Sequence, residues 1–315
     1  MIPDQFISVD WGTSRFRMAL VRTEDLSVIA ELETEDGNKS MNALWKRSGE
    51  DRLTFYISLI NKGIDSWMNT INANAPVIIS GMASSSIGMK ELPYASLPFS
   101  CSGEGLVIEK LVYGGVLRPS FLVSGVSAEL DVMRGEETIL IGLHDQPESP
   151  EKVLYILPGT HSKHVMVENG KVVDFRTFMT GELFEVIRTQ TILKNSTQAE
   201  GGYVFDEVHF GRGVEAAKEG NILNELFHIR AADLLKGRSK EANSNFLSGL
   251  LIGEELNNWQ SYGIKKMILC GTDHICQLYS MAAGILGHAP ETKGSDELRL
   301  AILRGHKKIL ATLSL

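Results

Sequence analysis

The sequence predicts an α/β protein of two units built on one plan. Three observations carry this. Each half opens on a buried-type apolar strand that runs into a Gly-Thr turn: Val9-Asp10-Trp11-Gly12-Thr13-Ser14 in the first, Leu157-Pro158-Gly159-Thr160-His161-Ser162 in the second. A hairpin follows each turn. Each half then continues into helical patterns and further short apolar strands. The repeat is half the chain long, so it is a domain duplication and not a solenoid. A length of 315 residues also suits two cores, since single cores stop growing near ~250–300 residues.

In chain order, Phe6 to Val9 is an apolar run ending on Asp10, and 16–21 and 28–32 read as the next two strands of an antiparallel meander. From Glu50 to Ile71 the period changes: Leu53, Tyr56, Ile57, Ile60, Ile64, Trp67, Met68 and Ile71 recur at three and four, the stripe of an amphipathic helix. Pro76 breaks it. Val77-Ile78-Ile79 is a buried strand entering the small-residue loop Ser80-Gly81-Met82-Ala83-Ser84-Ser85-Ser86, and Phe121-Leu122-Val123 is another strand. Glu136 to Leu143 reads as a helix. In the second half, 153–157 is a strand, and 164–167 and 171–175 are strands joined by Asn169-Gly170, a strong two-residue hairpin signal. Helical patterns follow at 182–190, 213–230 and 241–259. Lys266 to Cys270 is a strand leading through Gly271-Thr272-Asp273 into a helix, and a last helix runs over about 297–313. The boundary is placed among Asp145 to Glu151, where Pro147 and Pro150 lie in polar surroundings. This gives domains 1–147 and 148–295, with 296–315 as a terminal helix.

Hydrophobic residues make up 43% and charged residues 22% of the chain, the composition of a folded globular protein. A net charge of −8 with no long basic run disfavours nucleic acid and membrane surfaces as partners. The cysteines, Cys101, Cys270 and Cys276, follow neither a zinc nor a disulfide spacing and fit a reducing compartment. No basic-then-apolar leader is visible and no apolar run approaches the ~20 residues a membrane helix needs, so a cytoplasmic location is expected.

A tight turn with backbone N–H groups and a hydroxyl can cradle phosphate. Two such turns, Gly12-Thr13-Ser14 and Gly159-Thr160, at matching places in two halves, predict a grip on a polyphosphate from both sides. Asp10 beside the first turn would repel phosphate unless a divalent cation lay between, and Mg²⁺ takes one or two carboxylates with waters and phosphate oxygens. Asp10 therefore reads as a Mg²⁺ anchor acting through water, or as a turn-capping acid. Lys163 is the cation of the second turn, or a solvated lysine.

The strand–Asp–x–Gly–Thr–Ser–hairpin pattern resembles the first phosphate loop of the actin-like superfamily, which is ribonuclease H-like in fold. Gly271-Thr272, after Met267-Ile268-Leu269-Cys270, resembles its adenosine loop. Seven segments taken in order, Asp10-Trp11-Gly12-Thr13, Ser80-Gly81-Met82, Met133-Arg134-Gly135-Glu136-Glu137-Thr138, Leu157 to Lys163, Asp174-Phe175-Arg176-Thr177, Met179-Thr180-Gly181-Glu182-Leu183 and Phe246 to Gly253, resemble the 2-dehydro-3-deoxygalactonokinase family. This resemblance spans essentially the whole chain. It implies two duplicated actin-like domains with an ATP cleft between them and the terminal helix packed back on the first. It also implies ATP and Mg²⁺, and transfer of the γ-phosphate to the C6 hydroxyl of 2-dehydro-3-deoxy-D-galactonate.

Sugar kinases of this superfamily open a helix with an Asp base at the end of the first domain. Glu136 stands at the like position, with Asp131, Glu137 and Glu182 as rivals, and its plain reading is an acid favoured by the helix dipole. The carboxylate of the implied sugar acid calls for arginine. Arg134 and Arg176 are the candidates, with Arg15 beside the first turn able to touch phosphate instead, and Ser84, Ser85 and Ser86 are small residues able to line the sugar site. Arg17 reads as the solvent face of its strand, and His161 and His164 as structural. A kinase of another sugar or sugar acid, or an actin-like ATP-binding protein without an acceptor, stays open at this stage, as does a homodimer.

Overall fold

The computed structural model describes residues 3–67, 69–112, 118–144, 152–198, 204–257, 263–264 and 266–313. The expected boundary at 145–151 and Met68 of the apolar stripe lie outside them. The chain divides into two units: residues 1–150, 168–174 and 296–315 form the first, and 151–167 with 175–295 the second.

The first unit is organised by strand β1, Gln5–Trp11, in which Phe6, Ile7, Val9 and Trp11 are all fully buried. Burial on both faces is what a central strand requires, and it explains the continuous apolar run. Strands β2 (Phe16–Arg22) and β3 (Val28–Thr34) complete an antiparallel meander. Helices α1 (Asn38–Ser48) and α2 (Arg52–Asp65) precede β4 (Val77–Gly81). Short strands β5 (Ala95–Ser96), β6 (Phe99–Ser100) and β7 (Ile108–Leu111) lead to β8 (Ser120–Val123), β9 (Val126–Ser127) and β10 (Val132–Met133), and α3 is Glu136–Leu143. The sheet order is β3-β2-β1-β4-β8-β7, with β4 parallel to both β1 and β8.

The second unit starts with β11 (Val153–Leu157), β12 (Ser162–Glu168) and β13 (Lys171–Phe178), of which the hairpin end, residues 168–174, is counted with the first unit. The turn between β12 and β13 is Asn169-Gly170, with φ of 51° and 69°, the left-handed pair that a two-residue hairpin needs. Helices α4 (Thr180–Gln190), α5 (Glu207–Ala217), α6 (Ile222–Lys236) and α7 (Lys240–Asn257) follow. Strand β14 (Lys266–Cys270), α8 (Asp273–Ile285) and β15 (Glu291–Lys293) close it. Its strands run β13-β12-β11-β14-β15, with β11 antiparallel to β12 and parallel to β14, and β14 parallel to β15. The order matches β3-β2-β1-β4-β8 of the first unit strand for strand. The final helix, α9 (Ser295–Thr312), lies against α3 in the first unit: a Cβ on Gly142 would stand 1.7 Å from the Ala301 carbonyl oxygen, and one on Gly305 2.1 Å from that of Thr138.

The short strands β5, β6, β7, β9, β10 and β15 are absent from the sequence reading, and its helical readings differ from the structure in three places. Helix α1 is absent from that reading, because its stripe is thin: only Asn38, Met41 and Asn42 are buried. The stripe over 50–71 is helical only to Asp65, where the Ser66 N–H turns back to the Gly63 and Ile64 carbonyls. The pattern over 213–230 is two helices, parted by Gly220 at φ 66°.

Candidate active site

In the first unit, β1 and β4 are neighbouring parallel strands, and the candidate residues gather at their carboxyl ends, where open α/β sheets bind ligands. Asp10 faces Arg17 and Ser80 in register. Its Oδ2 accepts from Arg17 Nη1 at 3.2 Å, and its side chain is 19% exposed. Burial raises the Asp10 carboxyl pKa, and the Arg17 charge opposes this. Arg17 is therefore more than a solvent-facing side chain: the four-residue turn pairs it with Asp10. Arg15 pairs with Glu33 at 2.6 Å on the surface. The Gly12 N–H is not free for phosphate, since it closes the turn on the Arg15 carbonyl at 2.9 Å. Thr13 and Ser14 are exposed at the tip.

Gly81 and Gly135 connect Asp10 to the start of α3. Gly81 has φ 81°, and a Cβ there would stand 2.8 Å from the Trp11 carbonyl oxygen and 3.4 Å from Asp10 Oδ1. Gly135 has φ 109° and meets Gly81 in the same way, at 3.4 Å from its Cα. A side chain at either place would be strained by the backbone, and one at Gly81 would also press against the Trp11 carbonyl. Next to this pair, Arg134 stacks on Tyr94, 4.3 Å from the ring centre, and its Nη1 donates to the Ser84 carbonyl and hydroxyl, each at 2.6 Å. Ser84 is fully buried and supports Arg134. The Arg134 N–H donates to Glu136 Oε2 at 2.9 Å, and the Gly135 N–H to Glu137 Oε2 at 2.7 Å. Both acids thus satisfy donors at the helix start.

Glu137 is fully buried, and burial, with the charge of Glu136 second, pushes its pKa from 4.5 up to about 8. His306 of α9 is also fully buried, between the Ser8 hydroxyl (2.7 Å) and the Ser80 hydroxyl (2.9 Å), and burial pushes its pKa from 6.5 down to about 3. The two act on stability with opposite signs. Between pH 3 and 6.5 the unfolded chain takes up a proton that folded His306 refuses, so that contribution is full above pH 6.5 and is lost on acidification. Between pH 4.5 and 8 folded Glu137 keeps a proton that the unfolded chain releases, so that contribution is full below pH 4.5 and is lost as pH rises. Each slope is ~1.4 kcal/mol per pH unit, so they cancel between pH 4.5 and 6.5. Thermal unfolding is expected to show a plateau in that window. Glu137→Gln should flatten the alkaline limb and replace the plateau by a rise that continues the acid limb up to pH 6.5; an unchanged alkaline limb would exclude Glu137 as its source.

In the second unit, Gly159 and Thr160 form an exposed turn after β11, and Gly271-Thr272 follows the neighbouring parallel strand β14. A Cβ on Gly271 would lie 3.7 Å from Pro158, so the structure brings these two loops together. Thr272 stands at the N-cap position of α8 without a side-chain bond to the helix, and the Gly271 N–H donates to the Lys293 carbonyl at 3.1 Å. Lys163 is buried on β12, its Nζ 3.3 Å from the His161 carbonyl, and is not a solvated lysine. Arg176 is exposed on β13. Glu182 holds His161 at 2.6 Å.

The two turns are supported alike. The Thr13 carbonyl accepts from the Lys39 N–H at 3.1 Å, and the Thr160 carbonyl from the Glu182 N–H at 3.0 Å. In each case a glycine before that donor admits the turn: a Cβ on Gly37 would stand 2.4 Å from the Thr13 oxygen, and one on Gly181 2.4 Å from the Gly159 oxygen. The first turn is further tied by the buried Asn38, whose Nδ2 donates to the Trp11 carbonyl at 2.8 Å. Sequence reasoning missed Asn38, Gly37, the pairing of Arg17 with Asp10 and the burial of Glu137; of these the Asp10–Arg17 pairing alone had a signal, in the register of the hairpin.

Matching turns, each seated on a helix start at the end of a central strand, are the equipment of a phosphate-handling α/β enzyme. The comparisons with known proteins sharpen this to a kinase. The family model described as 2-keto-3-deoxy-galactonokinase matches residues 10–305. The chain belongs to that family. A Rhizobium meliloti (strain 1021) protein whose name reads "probable 2-dehydro-3-deoxygalactonokinase" is 33% identical over 301 residues, 93% of each chain. The 2-dehydro-3-deoxygalactonokinase of Escherichia coli (strain K12) is 30% identical over 272 residues, 82% of this chain and 81% of that one. A crystal structure from Sinorhizobium meliloti, provisionally assigned as a 2-dehydro-3-deoxygalactonokinase protein, superposes with a TM-score of 0.84 at 29% identity, covering 98% of this chain and 100% of the other. These relatives do not favour an ATP-binding protein without an acceptor. Among the described residues no helix is long and apolar enough to cross a membrane.

Proposed function

We propose that this protein transfers the γ-phosphoryl group of ATP to the C6 hydroxyl of 2-dehydro-3-deoxy-D-galactonate, on a duplicated actin-like fold. The observation that carries the site assignment is the loop at the start of α3. It presents a stacked, hydrogen-bonded arginine and a carboxylate two residues apart, beside Gly81, where an added Cβ would stand 3.4 Å from Asp10 Oδ1. Phosphoryl transfer asks for positioning and charge stabilisation more than for covalent work. Thr13 and Ser14, with Gly159, Thr160 and Lys163, bind the phosphates, and Gly271 and Thr272 the adenosine. Glu136 takes the proton of the attacking hydroxyl. Arg134 binds the substrate carboxylate, held by Ser84 and Tyr94, and Arg176 is the second candidate.

Among the described residues no group of three or more His, Cys, Asp and Glu could cage a metal. Mg²⁺ needs no such cage: it keeps most of its waters and shares phosphate oxygens with one or two carboxylates. The part-exposed carboxylate of Asp10 at the turn suits that donor set and would hold it through water. When bound, the ion would neutralise phosphate charge. The three cysteines are all buried free thiols, which suits a cytoplasmic location.

A coupled ATP assay on a panel of 2-keto-3-deoxy sugar acids and neutral sugars tests the substrate. Activity confined to neutral sugars would overturn it. Arg134→Ala should lower kcat/KM for the sugar acid roughly ten- to a hundred-fold, the usual loss for a charged hydrogen-bonding partner, with KM for ATP nearly unchanged. Thermal unfolding with and without ATP separates this from simple collapse of the loop. A folded variant that uses the sugar acid normally would pass the role to Arg176.

A further inference from the structure

The segment Phe246 to Gly253 belongs to the family pattern, yet it supplies no residue to the proposed reaction. Its helix, α7, is almost wholly buried, and at its end stands Glu255, 2% exposed. Four side chains converge on this one carboxylate. Ser162 Oγ donates to Oε1 at 2.6 Å and His164 Nε2 lies 2.9 Å from the same oxygen. Tyr279 Oη donates to Oε2 at 2.7 Å, and so does Thr180 Oγ1. Burial and the Glu255 charge raise the Tyr279 phenol well above 10, so it stays a donor. A buried carboxylate is costly unless its lone pairs are met. Here about four acceptor sites meet four donors.

The donors come from the segments to which the proposed function assigns the second unit's nucleotide contacts. Ser162 ends the Gly159-Thr160 turn and is followed by Lys163. Thr180 opens α4, and the next two residues, Gly181 and Glu182, seat that turn. Tyr279 lies two turns into α8, the helix that follows Thr272. We propose that Glu255 is the positioning residue of the second phosphate turn: its carboxylate locks the turn, the helix start beneath it and the adenosine-loop helix into one arrangement. It touches no reacting atom. This rests on the kinase reading only in taking these loops to be the nucleotide's.

The test is Glu255→Gln in the full chain. Gln replaces one acceptor oxygen by a donor facing two hydroxyls or a hydroxyl and an imidazole, so one side of the clamp opens. KM for ATP should rise about tenfold, the scale of one lost charged hydrogen bond, while KM for the sugar acid stays within about twofold. The rise in melting temperature on adding ATP should shrink in parallel. A purely structural glutamate would lower the melting temperature without this split. An unchanged KM for ATP, whatever the melting temperature, overturns the proposal. If Glu255→Gln does not fold, Tyr279→Phe and Ser162→Ala each remove one donor; a selective rise in KM for ATP in these supports the proposal, and no change in either overturns it. A wild type inactive on every sugar acid would refute the substrate assignment alone, and the ATP-dependent melting shift would still decide on Glu255.

Discussion

Replacing Glu136 by Gln is expected to lower kcat by ~10²–10⁴-fold, the usual contribution of a general base, with little change in KM for ATP. The structure makes this substitution informative. Glu136 Oε2 accepts from the Arg134 N–H at 2.9 Å, and a glutamine oxygen can keep that bond. The neighbouring Glu137 caps Gly135 independently, so the helix start should survive. What Gln cannot do is take a proton from the hydroxyl. The rivals are placed differently. Glu137 is fully buried and held protonated near neutral pH, a poor state for a base. Asp131 accepts from the Val132 N–H at 2.8 Å, and Glu182 lies in the other unit, bonded to His161. Steady-state kinetics of Glu136→Gln, Glu137→Gln, Asp131→Asn and Glu182→Gln rank them. A larger kcat loss in any of the other three moves the base there.

Asp10→Asn should be nearly as severe, with Mg²⁺-dependent turnover falling by ~10²-fold or more, the scale of losing one preorganised group that stabilises transferring charge. The side chains are almost isosteric, and the asparagine oxygen can still accept from Arg17 Nη1 across the hairpin. The fold should therefore hold. A second readout does not depend on catalysis: the part of the ATP-induced melting shift that requires Mg²⁺ should disappear. Near-wild-type turnover at saturating Mg²⁺, or an intact Mg²⁺-dependent shift, would take Asp10 out of the site.

Much of this site could be read from the chain. The first sheet's meander and the second unit's hairpin were legible because alternation and the Asn169-Gly170 turn act over a few residues. The Gly-Thr turns were legible because two of them occur at matching places, and Arg134 and Glu136 because both sit at a recognisable helix start. Helix α1 was not, since its buried face is chiefly Asn38, Met41 and Asn42, two of them polar. Its role is also non-local: Asn38 holds a turn 26 residues earlier.

By itself, then, the sequence determined where the strands, turns and chemical groups lie along the chain, because those follow from local periodicity and turn chemistry. Tertiary structure alone decided what each group touches. It turned Ser84 inward beneath Arg134, gave Arg15 to Glu33, buried Lys163 and Glu137, and set Glu255 under a turn 93 residues before it. The reason is physical: desolvation and hydrogen-bond satisfaction depend on neighbours brought in from distant segments, and no local pattern carries that information.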